Sequence, residues 1–284
     1  MLGHASEPTP QTTTDKQLGA IVIPKTIHYI WFGGKELPDD AKQCIESWKK
    51  HCPDFAIRRW DETNFDITSN RYVREAYESK KWAFVSDYVR LWALVEHGGI
   101  YMDTDVEILK PLDFVLSNKG FSGFESNSSV PTGIMGCEKG FPLFAELLAD
   151  YNDRAFIKPD GTFDETTNVV TITNALTKKG LELNNQFQVV SDFALYPSDW
   201  FCPKSHDTGI ISLTENSCAI HHFKGSWLDE SEQEIRTNKE ALLKKHPWVP
   251  SLVAGFCMRV RYGVQHKDFG PLKKMVLFTI KGKR

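Results

Sequence analysis

Residues 82–111 read WAFVSDYVRLWALVEHGGIYMDTDVEILKP. Phe84, Val85, Tyr88, Val89, Leu91, Trp92 and Val95 recur at helical spacing, which predicts a helix from Trp82 to His97. Its apolar face is too wide for a surface helix, so it packs inside the protein. Asp87 and Arg90, three residues apart, share one side of that helix, with Ser86 at the edge. Gly98-Gly99 ends it, because glycine accepts the left-handed backbone of a C-terminal cap. A short strand, Ile100–Met102, follows, with Asp103 and Asp105 at its exit. Continued extended backbone would point both carboxylates the same way. A bare Asp-x-Asp is most often a solvated turn. Here a buried helix with an Asp/Arg pair feeds directly into the strand. Ligands gather at the carboxyl ends of strands in α/β sheets, and paired carboxylates suit a hard divalent cation.

The flanking sequence extends this pattern. IPKTIHYIWFGG reads as a first core strand with Trp31 at its mouth. Pro38 to His51 reads as a helix with acidic residues at its start and lysines at its end. A second strand, Phe55 to Trp60, and a short helix, Arg71 to Ser79, complete a strand–helix alternation of the nucleotide-binding kind. Beyond the aspartates, Val106 to Leu109 is expected to extend the same strand until Pro111 closes it. Two further strands (Gly120–Glu125, Gly133–Cys137) and two helices (Phe141–Asn152, Asn168–Lys179) follow. FALYPSDWFCP, residues 193–203, reads as an aromatic, proline-broken loop, and Cys218–Phe223 as a late strand leading into KGSW.

The segment SDYVRLWALVEHGGIYMDTDVEILKPLD, residues 86–113, resembles the signature region of glycosyltransferase family 32, the DXD sugar-transferase group. That group includes initiating mannosyltransferases and bacterial capsular polysaccharide enzymes. The segment is similar, more distantly, to the catalytic domain of the large clostridial glucosylating toxins. The resemblance runs from about Ile23 to Trp227 and implies an α/β, GT-A-type, Rossmann-like nucleotide-sugar-binding fold in a single main domain. It also implies a divalent metal, Mn²⁺ or Mg²⁺, across the donor diphosphate, where it lowers the cost of the departing charge. By the same resemblance Asp105 ligates the metal and Asp103 contacts ribose and donor sugar. Asp87 and Arg90 hold the sugar hydroxyls, Trp31 stacks on the base, and Ser226 and Trp227 close over the diphosphate. A further metal ligand is sought in AIHHFKGSW, residues 219–227, where His221 or His222 offers a nitrogen that suits Mn²⁺. Neighbours on a strand face opposite ways, so only one points inward, and His221 is favoured. Taken without the resemblance, Asp87/Arg90 reads as an internal ion pair. Burying such a pair with no further partners is costly.

Composition bounds the rest. The 284 residues, 41% hydrophobic and 25% charged, suit a soluble globular chain with a sizeable core. A net charge of −3 gives no reason to expect a nucleic-acid partner. It is unevenly spread, because residues 250–284 hold eight Lys/Arg and one Asp, a local +7 that leaves −10 elsewhere. In that segment Phe256, Met258, Val260, Tyr262, Leu272, Met275, Val276, Leu277 and Phe278 interleave with the basic residues, a pattern suited to an anionic membrane surface. The six cysteines show no zinc spacing and read as reduced thiols. No apolar run has signal-peptide or membrane-spanning length.

The expected organisation is a disordered tail (1–20), a catalytic domain (21–228) and a C-terminal helical, basic-amphipathic extension (229–284). The expected function is metal-dependent retaining transfer from a nucleotide sugar, a UDP-sugar first, to a glycan acceptor, lipid-linked, in bacterial surface polysaccharide synthesis. The expected location is cytoplasmic, peripheral on the inner face of the cell membrane. An effector-type transferase acting on a protein and a non-catalytic nucleotide-sugar-binding module are the alternatives. The toxins carry helical insertions before the Ser-Asp-x-x-Arg helix that this chain lacks.

Overall fold

The computed structural model describes residues 22–126, 129–225 and 230–281. Strand and helix alternate first as β1 (Thr26–Ile30), α1 (Asp39–His51), β2 (Ala56–Trp60), α2 (Arg71–Glu78), α3 (Trp82–His97) and β3 (Gly99–Met102). There follow β4 (Val106–Ile108), β5 (Gly120–Gly123), β6 (Ile134–Cys137), α4 (Pro142–Ala149), α5 (Asn168–Lys178), β7 (Gln188–Val190) and β8 (Phe193–Tyr196). The chain continues through α6 (Ser198–Phe201), β9 (Ala219–His221), α7 (Glu230–Lys245), α8 (Ser251–His266) and α9 (Gly270–Lys281). The main sheet has the order β2-β1-β3-β6-β5-β8-β7. β1, β2, β3, β5 and β8 run one way, and β6 and β7 run against them. This is the expected α/β architecture, with a Rossmann-like first half and helices at the C-terminal end.

Side-chain alternation along the strands divides the core into two layers. Ile100 and Met102 of β3 face one side with Ile27, Trp48 and Phe121, while Tyr101 faces the other with the apolar face of α3. Helix α3 spans the predicted residues and buries Phe84, Val85, Tyr88, Val89 and Leu91, with Trp92 and Val95 half-buried. Gly98 (φ 66°) and Gly99 (φ 103°) make the abrupt return into β3. A Cβ on Gly99 would lie 2.6 Å from the Thr26 carbonyl oxygen, so glycine is what lets β3 dock beside β1.

Two sequence-based expectations are corrected. Val106–Leu109 does not extend the Asp-bearing strand. The Val106 N–H bonds back to the Asp103 carbonyl at 3.0 Å, closing a turn, and β4 leaves the main sheet to pair antiparallel with β9. The 193–203 segment is not a loop. Phe193–Tyr196 is a fully buried strand, β8, parallel to β5, because a strand covered on both faces reads as an unbroken apolar run. Pro197 then starts the helical turn α6. All six cysteines are free.

The tail, 1–20, and the boundary at 228/229 lie outside the described residues. Helices α7, α8 and α9 occupy most of the expected extension, and Ile235 and Leu243 of α7 are buried. Among the described residues no helix is long and apolar enough to cross a membrane.

His28 of β1 is fully buried and locks the joint that carries α3 into β3. Trp60 Nε1 can only donate, so His28 Nδ1 accepts from it at 3.2 Å, and Nε2–H donates to the Gly98 carbonyl at 2.8 Å. That arrangement requires the neutral ring, and burial lowers its pKa to about 4, opposed by the hydrogen bond to Gly98 and aided by the smaller effects of the His97 and Arg58 charges. A depressed histidine contributes stability above its unfolded pKa and loses it as pH falls through the folded one. The interval is therefore pH 6.5 down to about 4, and the loss is about 3 kcal/mol. Denaturant unfolding across that range checks the slope, which should flatten in His28→Gln. Imidazole ¹⁵N shifts that leave His28 protonated at pH 5.5 would contradict it.

Candidate active site

Asp103, Asp105 and His221 meet where two sheets touch. β3 ends at Met102, and the turn through Thr104 swings the backbone around, so both carboxylates converge through a turn and not through extended strand. β4 then pairs Val106 with His221 of β9, which lays the imidazole beside the aspartates. His221 Nε2 lies 3.4 Å from Asp105 Oδ1 and 3.7 Å from Asp103 Oδ2. One ligand atom from each of the three residues falls within 4.8 Å of the others. His222 turns the opposite way, with Nε2 2.9 Å from Glu107 Oε2, and stands outside this cluster. The expectation that it supplies a metal ligand is corrected by strand alternation.

The cluster is held from behind. Tyr101 Oη donates to Asp103 Oδ1 at 2.5 Å, and the Lys224 N–H donates to Asp105 Oδ2 at 2.7 Å. The His222 N–H bonds the Asp105 carbonyl at 3.0 Å, so the loop after β9 is fastened to the acidic turn. The His221 ring packs over Gly133, where a Cβ would fall 2.6 Å from Nδ1; only glycine leaves room for it. Burial alone would push Asp105 up, but His221 and the Lys224 N–H hold its carboxyl at about 2. Burial likewise pulls His221 down, and Asp105, then Cys202 and Asp103, raise it well above the ordinary imidazole value. Two hard carboxylates and one borderline nitrogen, drawn this close around a polarised, acidic centre, fit a divalent cation such as Mn²⁺ or Mg²⁺.

Asp87 and Arg90 lie directly behind, at 5% and 6% exposure. Arg90 Nη2 sits 3.4 Å from Asp87 Oδ1 and 3.6 Å from Asp103 Oδ1, so one guanidinium bridges helix α3 to the acidic turn. Nη1 donates to the Thr132 carbonyl and Nε to the Ser86 carbonyl, both at 3.2 Å, and the guanidinium carbon lies 4.6 Å above the Tyr101 ring. Against the effect of burial, Tyr101, Asp103 and Asp87 raise the Arg90 pKa and keep it charged. Burial pushes Asp87 up, and Arg90 and the Asn168 N–H draw it back in part. That N–H, 3.1 Å from Asp87 Oδ2, opens α5, so Asp87 also anchors a helix start.

These groups line a cleft of about 490 Å³ that also holds Trp31, Trp82, Glu125 and Arg236. Trp31 follows β1 as expected and donates Nε1–H to the Lys35 carbonyl at 2.7 Å, which sets its ring at the mouth. Ser226 and Trp227 lie outside the described residues. A second cavity of about 550 Å³ adjoins the cleft and shares Glu125 and His206 with it. Sequence reasoning missed Tyr101, Thr132, Asn168 and Arg236. Tyr101, two before Asp103, was within reach of the period-2 rule; the other three come from distant segments with no local mark.

Residues 38–122, which include α3 and both aspartates, match the family described as glycosyltransferase sugar-binding region containing DXD motif. Over that segment the chain is similar to the DXD glycosyltransferases. Inositol phosphoceramide mannosyltransferase 3 of Schizosaccharomyces pombe is 29% identical over 142 residues, 47% of this chain and 38% of that protein. Subversion of eukaryotic traffic protein A of Legionella pneumophila is 26% identical over 192 residues, 55% of this chain and 28% of that protein. The matches therefore span well under half the length of either relative. Among solved structures, PaToxG glycosyltransferase aligns with a TM-score of 0.42 at 19% identity, over 56% of this chain and 69% of that one.

Proposed function

We propose that this chain is a metal-dependent, retaining glycosyltransferase that moves a hexose from a nucleotide sugar, a UDP-sugar first, to a lipid-linked glycan of a bacterial surface polysaccharide. The convergence of Asp103, Asp105 and His221 in one cleft with the buried Asp87–Arg90 pair carries this reading. Asp105 and His221, with Asp103 beside them, would hold the cation, which neutralises charge on the departing diphosphate. Asp103, oriented by Tyr101 and Arg90, takes ribose and donor-sugar hydroxyls. Asp87 and Arg90 fix the sugar ring, and Trp31 offers a flat face to the base. The acceptor hydroxyl attacks the anomeric carbon on the face the diphosphate leaves. The carbon–oxygen bond breaks with its electron pair on the phosphate oxygen, and that oxygen takes the acceptor proton, so no covalent nucleophile is required.

The second cavity suits the acceptor. It carries hydroxyls and carboxylates, among them Ser198, Asp199, Ser212 and Thr214, and shares Glu125 and His206 with the donor cleft. Release of free sugar from UDP-glucose, UDP-galactose, UDP-N-acetylglucosamine and GDP-mannose, with and without Mn²⁺, tests the reading. Slow metal-dependent hydrolysis of one donor supports it. No hydrolysis of any would favour a non-catalytic binding module.

The name of the fission-yeast relative specifies an inositol phosphoceramide, a lipid, and supports a lipid-linked acceptor and a membrane-side location. Trp248, in the turn between α7 and α8, and Leu252 of α8 are 79% and 78% exposed, and Val253 and Phe256 of α8 are exposed too. Such residues, in a segment whose Arg261, Lys267, Lys273 and Lys274 are also exposed, suit the interface of an anionic bilayer. Of the apolar residues named from sequence, Met258, Val260, Tyr262, Leu272 and Met275 are half-buried, and the side chains of Leu277 and Phe278 lie outside the description. Flotation with phosphatidylglycerol vesicles is expected to carry the protein, less so in high salt, and not the variant lacking residues 250–284. Equal flotation of both would assign the segment to packing alone. The second reading, an effector-type transferase acting on a protein, draws on the Legionella relative, whose name records subversion of eukaryotic traffic.

A further inference from the structure

Helix α7 was assigned by sequence to an extension outside the catalytic domain, yet one of its side chains lines the donor cleft. Arg236 shares that cleft with Asp103, Asp105, His221 and Gly225. Its Nε donates to Glu240 Oε1 at 3.2 Å, four residues along the same helix, which fixes the plane of the guanidinium. Its Nη2 is buried and has no hydrogen-bond partner among the described residues. Glu240 is also 4.0 Å from Lys204 Nζ, so Arg236 shares that carboxylate with a second cation. The Phe223 ring connects this corner to the acidic cluster, 4.0 Å from the His221 ring and 5.1 Å from the His206 ring.

A buried guanidinium donor left unmet is costly, and its natural complement is an oxyanion that accepts from its fork. Arg90 differs, since Asp87, Asp103, Thr132 and Ser86 already engage it. Asp103, Asp105 and Glu125 line the same cleft, so an anion that reaches Arg236 is best placed there when it also reaches a cation held by Asp103, Asp105 and His221. A diphosphate is such a ligand. Resting on the donor reading above, we propose that Arg236 binds the diphosphate of the nucleotide sugar and holds it as the sugar–oxygen bond breaks. Helix α7 is then a wall of the active site, and Glu240 is the residue that positions its arginine.

Calorimetry in Mn²⁺ with UDP, GDP and the nucleosides uridine and guanosine tests this on the full chain. Arg236→Gln should weaken nucleoside diphosphate binding about ten- to a hundredfold, with nucleoside binding unmoved and part of the affinity regained in Arg236→Lys. Diphosphate affinity equal to the parent overturns the proposal. On the parent protein, the Arg236 guanidinium ¹⁵N resonances should shift with UDP or GDP and not with the nucleoside. An unmoved resonance in the presence of bound diphosphate also overturns it, whether or not the glutamine variant folds. A parent protein that binds neither diphosphate removes the donor reading itself, and the role of Arg236 with it.

Discussion

Asp105→Asn is expected to lose Mn²⁺-dependent turnover by about 10³-fold or more and to keep its fold. The size follows from the several kcal/mol of charge stabilisation that a correctly held divalent ion supplies to a leaving diphosphate, at about 1.4 kcal/mol per factor of ten. The fold survives because the side chain is at a turn between two sheets, and asparagine keeps an oxygen for the Lys224 N–H. The substitution removes one charge from a site where Asp103, Asp105 and His221 each offer a ligand atom within 4.8 Å of the others. Metal titration followed by donor hydrolysis measures it, and hydrolysis restored to the parent rate at saturating Mn²⁺ would place the metal elsewhere. Asp103→Asn should be impaired as severely by a different route. Tyr101 and Arg90 both orient that carboxylate, so its loss disturbs donor placement more than metal affinity.

Arg90→Ala and Asp87→Ala should each cost about 3–5 kcal/mol of stability, because either one leaves a buried charge without its partner. Arg90 bridges Asp87 and Asp103, and Asp87 also receives the first N–H of α5. The alanine variants therefore confuse structure with chemistry. Asp87→Asn separates them, since asparagine retains an acceptor for the Asn168 N–H and removes only the charge. That variant is expected to fold and to bind UDP within about threefold of the parent, while turnover of the intact nucleotide sugar falls about a hundredfold. Turnover at the parent level would reduce Asp87 to a helix anchor.

Local pattern made α3, Gly98-Gly99 and β3 legible, because helix periodicity, a cap and a short apolar run are all properties of neighbouring residues. The three-residue spacing of Asp87 and Arg90 placed them on one face for the same reason, and the contrast between His221 and His222 needed only strand alternation. β8 was misread because its run carries Pro197 and four aromatics, and burial on both faces leaves no alternation to detect. The α/β class, the acidic pair and its buried charged helix were thus determined by the sequence alone. Tertiary structure decided how those parts become a site. A turn at Asp103–Asp105 ends one sheet, β4 pairs with a strand more than a hundred residues away, and that pairing sets His221 beside the aspartates. Helix α7 brings Arg236 back to the same cleft from outside the expected catalytic boundary. Neither event leaves a local mark, since strand pairing and helix docking depend on which distant surfaces bury one another and not on the order of residues along the chain.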